Sequence, residues 1–317
     1  MIPHWRTLMK NTHLLSIADL NSEELNRLVD RAIELKGPSI STSLTGCSVA
    51  LLFEKPSLRT KTSFDVGIHQ MGGHPIYLGP QEVGLGVRET IADVARVLDR
   101  YVDCIVARVN NHSSLVELAR YSKVPIINAL SNWEHPCQIL SDLQTIKEAK
   151  GQLKGVKVAY VGDGNNTARS LALGIISVGG NFAIASPKGY ELDPQTLALA
   201  RSLSSHCGAT VDDSNDVLQA VSGADVVYTD VWISMGQEAE RAERLKAFKN
   251  YTIDHKIMSH AESDAIFMHD MPVHYGEELA YGMLDHPKSV VFDQAENRLH
   301  SQKALLEHLV ESKQRYG

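Results

Sequence analysis

The sequence predicts an α/β fold made of two doubly wound parallel-sheet domains of similar size. Three observations carry that expectation. The 317-residue chain is too long for one ordinary core and suits two domains. Short apolar runs alternate with amphipathic stretches, the pattern of strands buried on both faces beneath helices. That alternation runs twice, the second series starting near residue 150.

The elements follow in order. SEELNRLVDRAIELKG (22–37) is the cleanest amphipathic helix. Leu25, Leu28, Val29, Ala32 and Ile33 share one face, Asn21 or Ser22 caps the start, and Gly37 stops it. Strand-like runs come next: SVALLF (48–53), HPIYL (74–78), CIVARV (104–109) and VPIINAL (124–130). DVGIHQMGG reads as a helix ending at glycine, and ETIADVARVLDRY (89–101) and HSSLVELARYS (112–122) are helix-like. HPCQILSDLQTIKEA, itself helical in pattern, joins the halves near residues 135–150. VKVAYVG (156–162) and NFAIASP (181–187) read as strands around a helix from about 166 to 178. ADVVYTD (224–230), AIFMHD (265–270) and VVFD (290–293) read as further strands, and QKALLEHLVESKQRYG as the closing helix.

Composition narrows the function. Apolar residues are 43% and charged residues 22%, as in a soluble globular protein. A net charge of −7 argues against a general nucleic-acid or acidic-membrane binder. No run of 18 apolar residues suggests a membrane span, and MIPHWRTLMKNTHLLS lacks the apolar core of a signal peptide. Cys47, Cys104, Cys137 and Cys207 form no CxxC pair, so reduced thiols and a cytoplasmic setting are expected. The pairs His69/His74, His255/His260 and His269/His274 are spaced by five, poor for ligands on one helix face, and no metal is expected.

Chemistry gathers at strand ends. In FEKPSLRTKTSF (53–64), Ser57, Arg59, Thr60, Thr62 and Ser63 crowd donors into a strand-to-helix turn. A helix N-terminus favours an anion, and Arg59 can grip two phosphate oxygens, so the turn reads as a phosphate site. A plain N-cap with solvent-facing polar residues is the duller reading. His135 and Gln138, three apart, share one face of a helix and can donate to a carbonyl oxygen or its oxyanion. A buried, satisfied histidine would look the same. GDGNNT (162–167) resembles part of a dinucleotide fingerprint, but Thr167 replaces the third glycine. No acidic residue ends the next strand at Ala185-Ser186, which argues against NAD. Asn165 and Asn166 are open to reading an amino-acid head group instead. Asp230 and Asp270 both end strands, where a carboxylate can hold an ammonium or cap a helix. Ser234, Met235 and Gly236 form a flexible loop able to cover a ligand.

Together these stretches resemble the aspartate/ornithine carbamoyltransferase family. FEKPSLRTKTSF is similar to the family's FEK-x-S-T-R-T turn. DVARVLDR with ARV, then EHPCQILSD, GDGNN, SPKGYE, DVWISMGQE, HDMP and AENR occur in the family's order. The resemblance implies a carbamoyl phosphate-binding domain (1–140) and an ornithine-binding domain (141–317). The last helix, about 300–317, would return to the first domain. It implies transfer of the carbamoyl group to L-ornithine, giving L-citrulline and phosphate in arginine metabolism. It also implies no cofactor or metal, no nucleic-acid or membrane partner, and a homotrimer or multiple of trimers.

Carried over by position, Ser57, Leu58, Arg59 and Thr60 would hold the phosphate, and Arg108 would face carbonyl and phosphate oxygens. His135 and Gln138 would contact the carbamoyl group, and Arg298 would close on the substrate from the second domain. Asn166, Asp230, Ser234 and Met235 would bind ornithine; Arg108, His135 and Asp270 would be catalytic. Three positions depart from the pattern. Leu58 stands where Thr is usual, Gly84 where a donor is usual (Gln81 or Arg88 could compensate), and Asp270 where Cys is usual. A carboxylate at 270 raises the acceptor amine's pKa unless it also takes the proton. The alternative expectation is therefore a carbamoyltransferase for a different amine. An NAD-dependent dehydrogenase and a catalytically silent relative are the remaining readings.

Overall fold

A computed structural model describes residues 13–38, 41–234 and 236–316, without the side chains of 206 and 311–316. Contacts divide the chain into two compact units, Met1–Gln144 with Asn297–Gly317, and Thr145–Glu296.

The first unit opens with α1 (Ser22–Lys36), capped by Asn21 and Glu24 accepting each other's backbone N–H groups. Then come β1 (Ser48–Phe53), α2 (Leu58–Gln70), β2 (His74–Leu78), the short α3 (Pro80–Val83) and α4 (Ile91–Leu98). β3 (Cys104–Arg108), α5 (His112–Tyr121), β4 (Ile126–Leu130) and the start of α6 (Pro136–Lys150) complete the series. The strands are parallel in the order β2-β1-β3-β4. Ala50, Leu52, Ile105, Ala107 and Ile126 pack there with Leu115 and Leu118 of α5.

The second unit runs through β5 (Lys157–Val161), α7 (Asn166–Ser177), β6 (Asn181–Ala185), α8 (Pro194–Cys207) and β7 (Val211–Ser214). It continues with α9 (Val217–Val221), β8 (Val226–Thr229), α10 (Arg241–Ala247), α11 (His255–Met258) and β9 (Ile266–His269). Its parallel sheet is ordered β7-β6-β5-β8-β9. Ala159, Val161, Val227 and Phe267 form its core with Trp232 and Phe248, whose rings stack 5.4 Å apart.

In each sheet the chain winds outward in both directions from its first strand, so β1/β3 and β5/β8 are the reversal points. Ligands of such sheets sit outside the carboxyl ends of strands there. The phosphate-like turn follows β1, Arg108 ends β3, GDGNN follows β5 and Asp230 follows β8.

Two expectations are corrected. VVFD is no strand: Val291 begins the final helix α12 (Val291–Tyr316), and Gln294 N–H donates to Val290 C=O at 2.8 Å, a helical bond. Ser289 instead makes an isolated bridge to Phe267. Four residues with an apolar start are too few to separate a strand from a helix's first turn. The boundary between the units falls inside α12, at Asn297, so Arg298, expected to approach from the second domain, belongs to the first unit. Within that unit Arg31 pairs with Glu307 at 2.6 Å, and Lys36 donates to Asn297 at 2.8 Å.

Candidate active site

A basic cradle lies where β1 and β3 end. Ser57 caps α2: its Oγ accepts the Thr60 N–H at 3.3 Å, and its extended backbone turns strand into helix. The remaining N–H groups of that turn, with the helix dipole, favour an anion. Leu58 exposes 77% of its surface and offers only a backbone donor. Thr60 is buried, and its Oγ1 accepts from Arg298 Nη2 at 2.6 Å and Arg108 Nη1 at 3.5 Å. Arg108 stands where the β3–β4 register shifts, Arg108 lying opposite Leu130 while Ala107 lies opposite Asn128.

α6 supplies the other side. Arg298 also donates to Gln138 Oε1, while Gln138 Nε2 donates to Asp142 Oδ1 at 2.9 Å, which fixes the amide's orientation. His135, just before Pro136, is buried. Burial, then the charges of Arg298, Arg108 and Arg59, hold its pKa well below the ordinary 6.5, so the imidazole is neutral at pH 7. Burial pushes the neighbouring Cys137 thiol up to about 12, and its Sγ–H donates to the Asn128 carbonyl at 3.3 Å. It is no nucleophile. The cradle thus sets three guanidinium charges, a helix N-terminus and a neutral imidazole in one field.

The second unit carries the opposite charge at its strand ends. Asn165 caps α7, its Oδ1 accepting from Thr167 and Ala168 N–H at 3.0 Å, and its Nδ2 donates to Asp230 Oδ2 at 2.7 Å. Val231 N–H donates to Asp230 Oδ1 at 2.6 Å. Thr167 Oγ1 donates to Asp270 Oδ2 at 3.3 Å, so Asp230 and Asp270 are both steered from the start of α7. Beneath them Tyr160 is fully buried. Burial first, then the charges of Asp230, Asp163, Asp270 and Glu278, keep its phenol well above the ordinary range. Asp163 pairs with Arg244 at 2.8 Å, and Arg244 also donates to the Trp232 carbonyl at 2.9 Å, anchoring the segment after Asp230. Burial still outweighs that pairing and lifts Asp163 to about 6.

The glycine-rich turn has its own steric reason. A Cβ on Gly164 would stand 2.5 Å from the backbone of Glu191 and Leu192. Gly164 N–H donates to the Tyr190 carbonyl at 2.9 Å, so this glycine serves chain packing rather than a pyrophosphate.

Comparison with known proteins decides the family. Residues 12–148 match the domain described as "Aspartate/ornithine carbamoyltransferase, carbamoyl-P binding domain". Residues 154–309 match "Aspartate/ornithine carbamoyltransferase, Asp/Orn binding domain". The chain belongs to the aspartate/ornithine carbamoyltransferase family. A relative in this family, the ornithine carbamoyltransferase of Carboxydothermus hydrogenoformans, is 50% identical over 92% of this chain and 95% of its own. That of Thermococcus kodakarensis is 48% identical over 92% of this chain and 94% of its own. The solved ornithine carbamoyltransferase of Pyrococcus furiosus superposes with a TM-score of 0.92 at 45% identity, covering 96% of this chain and 98% of that one.

Within this family member the anticipated residues fall into two sets. Ser57, Leu58, Arg59, Thr60, Arg108, His135, Gln138 and Arg298 lie in the first unit, and Thr60, Arg108, Gln138 and Arg298 are joined by hydrogen bonds. Asn166, Asp230, Ser234 and Asp270 lie in the second; Ser234 N–H donates to Gln237 Oε1 at 3.0 Å. Met235 lies outside the described residues. Arg88 is exposed and donates to the Glu82 carbonyl at 3.3 Å. Asp142, Thr167 and the Asp163–Arg244 pair were not anticipated. Asp142 was findable, because it stands four residues after Gln138 on a helix face. Arg244 was not, because its partner lies 81 residues away.

Proposed function

We propose that the protein transfers the carbamoyl group of carbamoyl phosphate to the δ-amine of L-ornithine, giving L-citrulline and phosphate. The observation that carries this reading is the convergence of Arg59, Arg108 and Arg298 on the α2 N-terminus beside a neutral His135. That charge pattern suits a phosphorylated dianion with an acyl oxygen. Ser57, Arg59, Thr60 and the Leu58 N–H hold the phosphate, with Arg298 over Thr60. Arg108 faces the carbonyl oxygen, and His135 and Gln138 contact the carbamoyl group.

The neutral δ-amine attacks the carbonyl carbon, forming the C–N bond. Negative charge grows on the carbonyl oxygen, and donors already in place stabilise it without reorganising. Collapse breaks the C–O bond to phosphate; the leaving group takes up one proton from solvent and stays with the arginines as the HPO4²⁻ dianion. The proton lost by the amine passes to Asp270, which Thr167 holds in place. Asp270 afterwards returns that proton to solvent. Asp230 and Asn166 serve the amino-acid head group, and the loop from Ser234 to Gly236, with Met235, excludes water. The acidic second unit favours a cationic acceptor.

A different acceptor amine, raised by Asp270, is not favoured: relatives 46–50% identical over nearly the whole chain carry the ornithine name. A homotrimer and a cytoplasmic setting complete the proposal; among the described residues no helix is long and apolar enough to cross a membrane. The test is an acceptor panel with carbamoyl phosphate. Ornithine should yield citrulline and phosphate in equal amounts, faster than acetylated ornithine, aspartate or a simple diamine. Turnover of one of those with ornithine inert would overturn the reading.

A further inference from the structure

We propose that His274, Glu277 and Glu278 bind one divalent transition-metal ion in the second unit. One donor atom from each lies within 4.8 Å of the other two. An acidic cluster alone would not carry this, but Glu278 adds a second observation. Its side chain is fully buried. Its Oε1 accepts from His274 N–H at 2.5 Å and His269 Nε2 at 3.3 Å, whereas its Oε2 has no hydrogen-bond partner among the described residues. Glu277 Oε2 and His274 Nδ1 are likewise shielded from water without a hydrogen bond, 3.9 Å apart.

A carboxylate oxygen taken from water and left without a donor is costly. Arg241 offsets part of the charge through the other oxygen of Glu277, and no described cation pairs with the Glu278 carboxylate except the His269 ring. Met271 N–H donates to His269 Nδ1 at 2.8 Å, leaving Nε2 as the proton-bearing atom turned to Glu278. A cation held by one donor atom from each of the three residues would offset the carboxylate charge that the described protein donors leave unmatched.

One imidazole nitrogen and two carboxylate oxygens suit Zn²⁺, Co²⁺ or Mn²⁺, with water completing the shell. Metal–donor distances of about 2.0–2.2 Å require the three atoms to close by roughly an ångström. Half-exposed His274 and the side chain of Glu277 have that freedom, while the backbone is pinned by Gly276 N–H to Leu279 C=O at 2.8 Å and Ile253 N–H to Glu278 C=O at 2.9 Å. Spacing by five among histidines gave no hint of this, because the donors meet across a turn and not along a helix.

The experiment uses the full chain, freed of metal by a chelator. Calorimetric titration with Zn²⁺ should show one ion bound per chain, and Co²⁺ should give a visible absorption band. His274→Ala and Glu277→Gln should each weaken Zn²⁺ binding at least about tenfold, with unchanged far-ultraviolet circular dichroism. No saturable uptake by folded protein would overturn the proposal and leave the Glu277–His274–Arg241 ion cluster as sufficient. Uptake unchanged in both variants would also overturn it, placing the ion elsewhere, for instance at the exposed thiol of Cys207.

Discussion

Arg298 donates to Thr60 at 2.6 Å across 238 residues of chain, tying the last helix to the first turn of α2. The same guanidinium donates to Gln138, so one side chain joins three elements around the proposed phosphate. Arg298→Ala should lower turnover by about 10²–10³, the usual loss for one preorganised donor. Steady-state citrulline formation measures it; turnover within a few-fold of the parent would remove Arg298 from the site.

Asp270→Asn separates two roles. As proton acceptor, Asp270 should show in turnover, with a loss of about 10²–10⁴ and a changed alkaline dependence of rate. Carbamoyl phosphate affinity should stay as in the parent. Asp230→Asn should instead raise the KM for ornithine more than it lowers kcat. If Asp270→Asn keeps the parent's pH profile, the proton leaves by another path.

Acidification should weaken the first unit. Burial holds His135 well below 6.5 and lowers His13 to about 4, and His13 Nδ1 accepts the Ile126 N–H, a bond only the unprotonated nitrogen makes. Both rings are neutral when folded and charge on unfolding below pH 6.5. Their stabilisation is therefore present above that pH and lost as pH falls, by about 1.4 kcal/mol per unit for each ring. Asp163, raised to about 6 by burial, works the other way in the second unit: folded protein binds its proton first, so that unit gains stability as pH falls through 6. Thermal melts from pH 7 to pH 5 should show a net fall, and His13→Asn should reduce it.

Arg244→Ala should leave Asp163 buried without its cation and without the tie to Trp232. Breaking a buried pair from one side costs about 3–5 kcal/mol. Urea unfolding followed by circular dichroism should show a loss of that order, and Asp163→Asn on the same background should recover part of it. A loss below about 1 kcal/mol would mean that Asp163 is hydrated.

Most of the architecture was legible because fully buried parallel strands must be apolar runs, and Val49–Phe53 or Val158–Val161 can be little else. β7 escaped notice because VDDS is polar and half exposed. VVFD misled because its apolar start serves a helix. At the site, Ser57, Arg59 and His135 stood out as polar residues at strand ends. What holds them in place did not. Thr60 to Arg298, Asn165 to Asp230 and Asp163 to Arg244 are long-range pairs, and neither partner's neighbours in sequence encode the other.

The central claim is that the α2 N-terminus and its arginines clasp carbamoyl phosphate. Calorimetric titration of the folded protein with carbamoyl phosphate tests it most directly. The account predicts saturable binding to the parent and at least about tenfold weaker binding to Arg59→Ala, the loss of one charge-assisted contact. No binding to the parent, or equal binding to the variant, would contradict it.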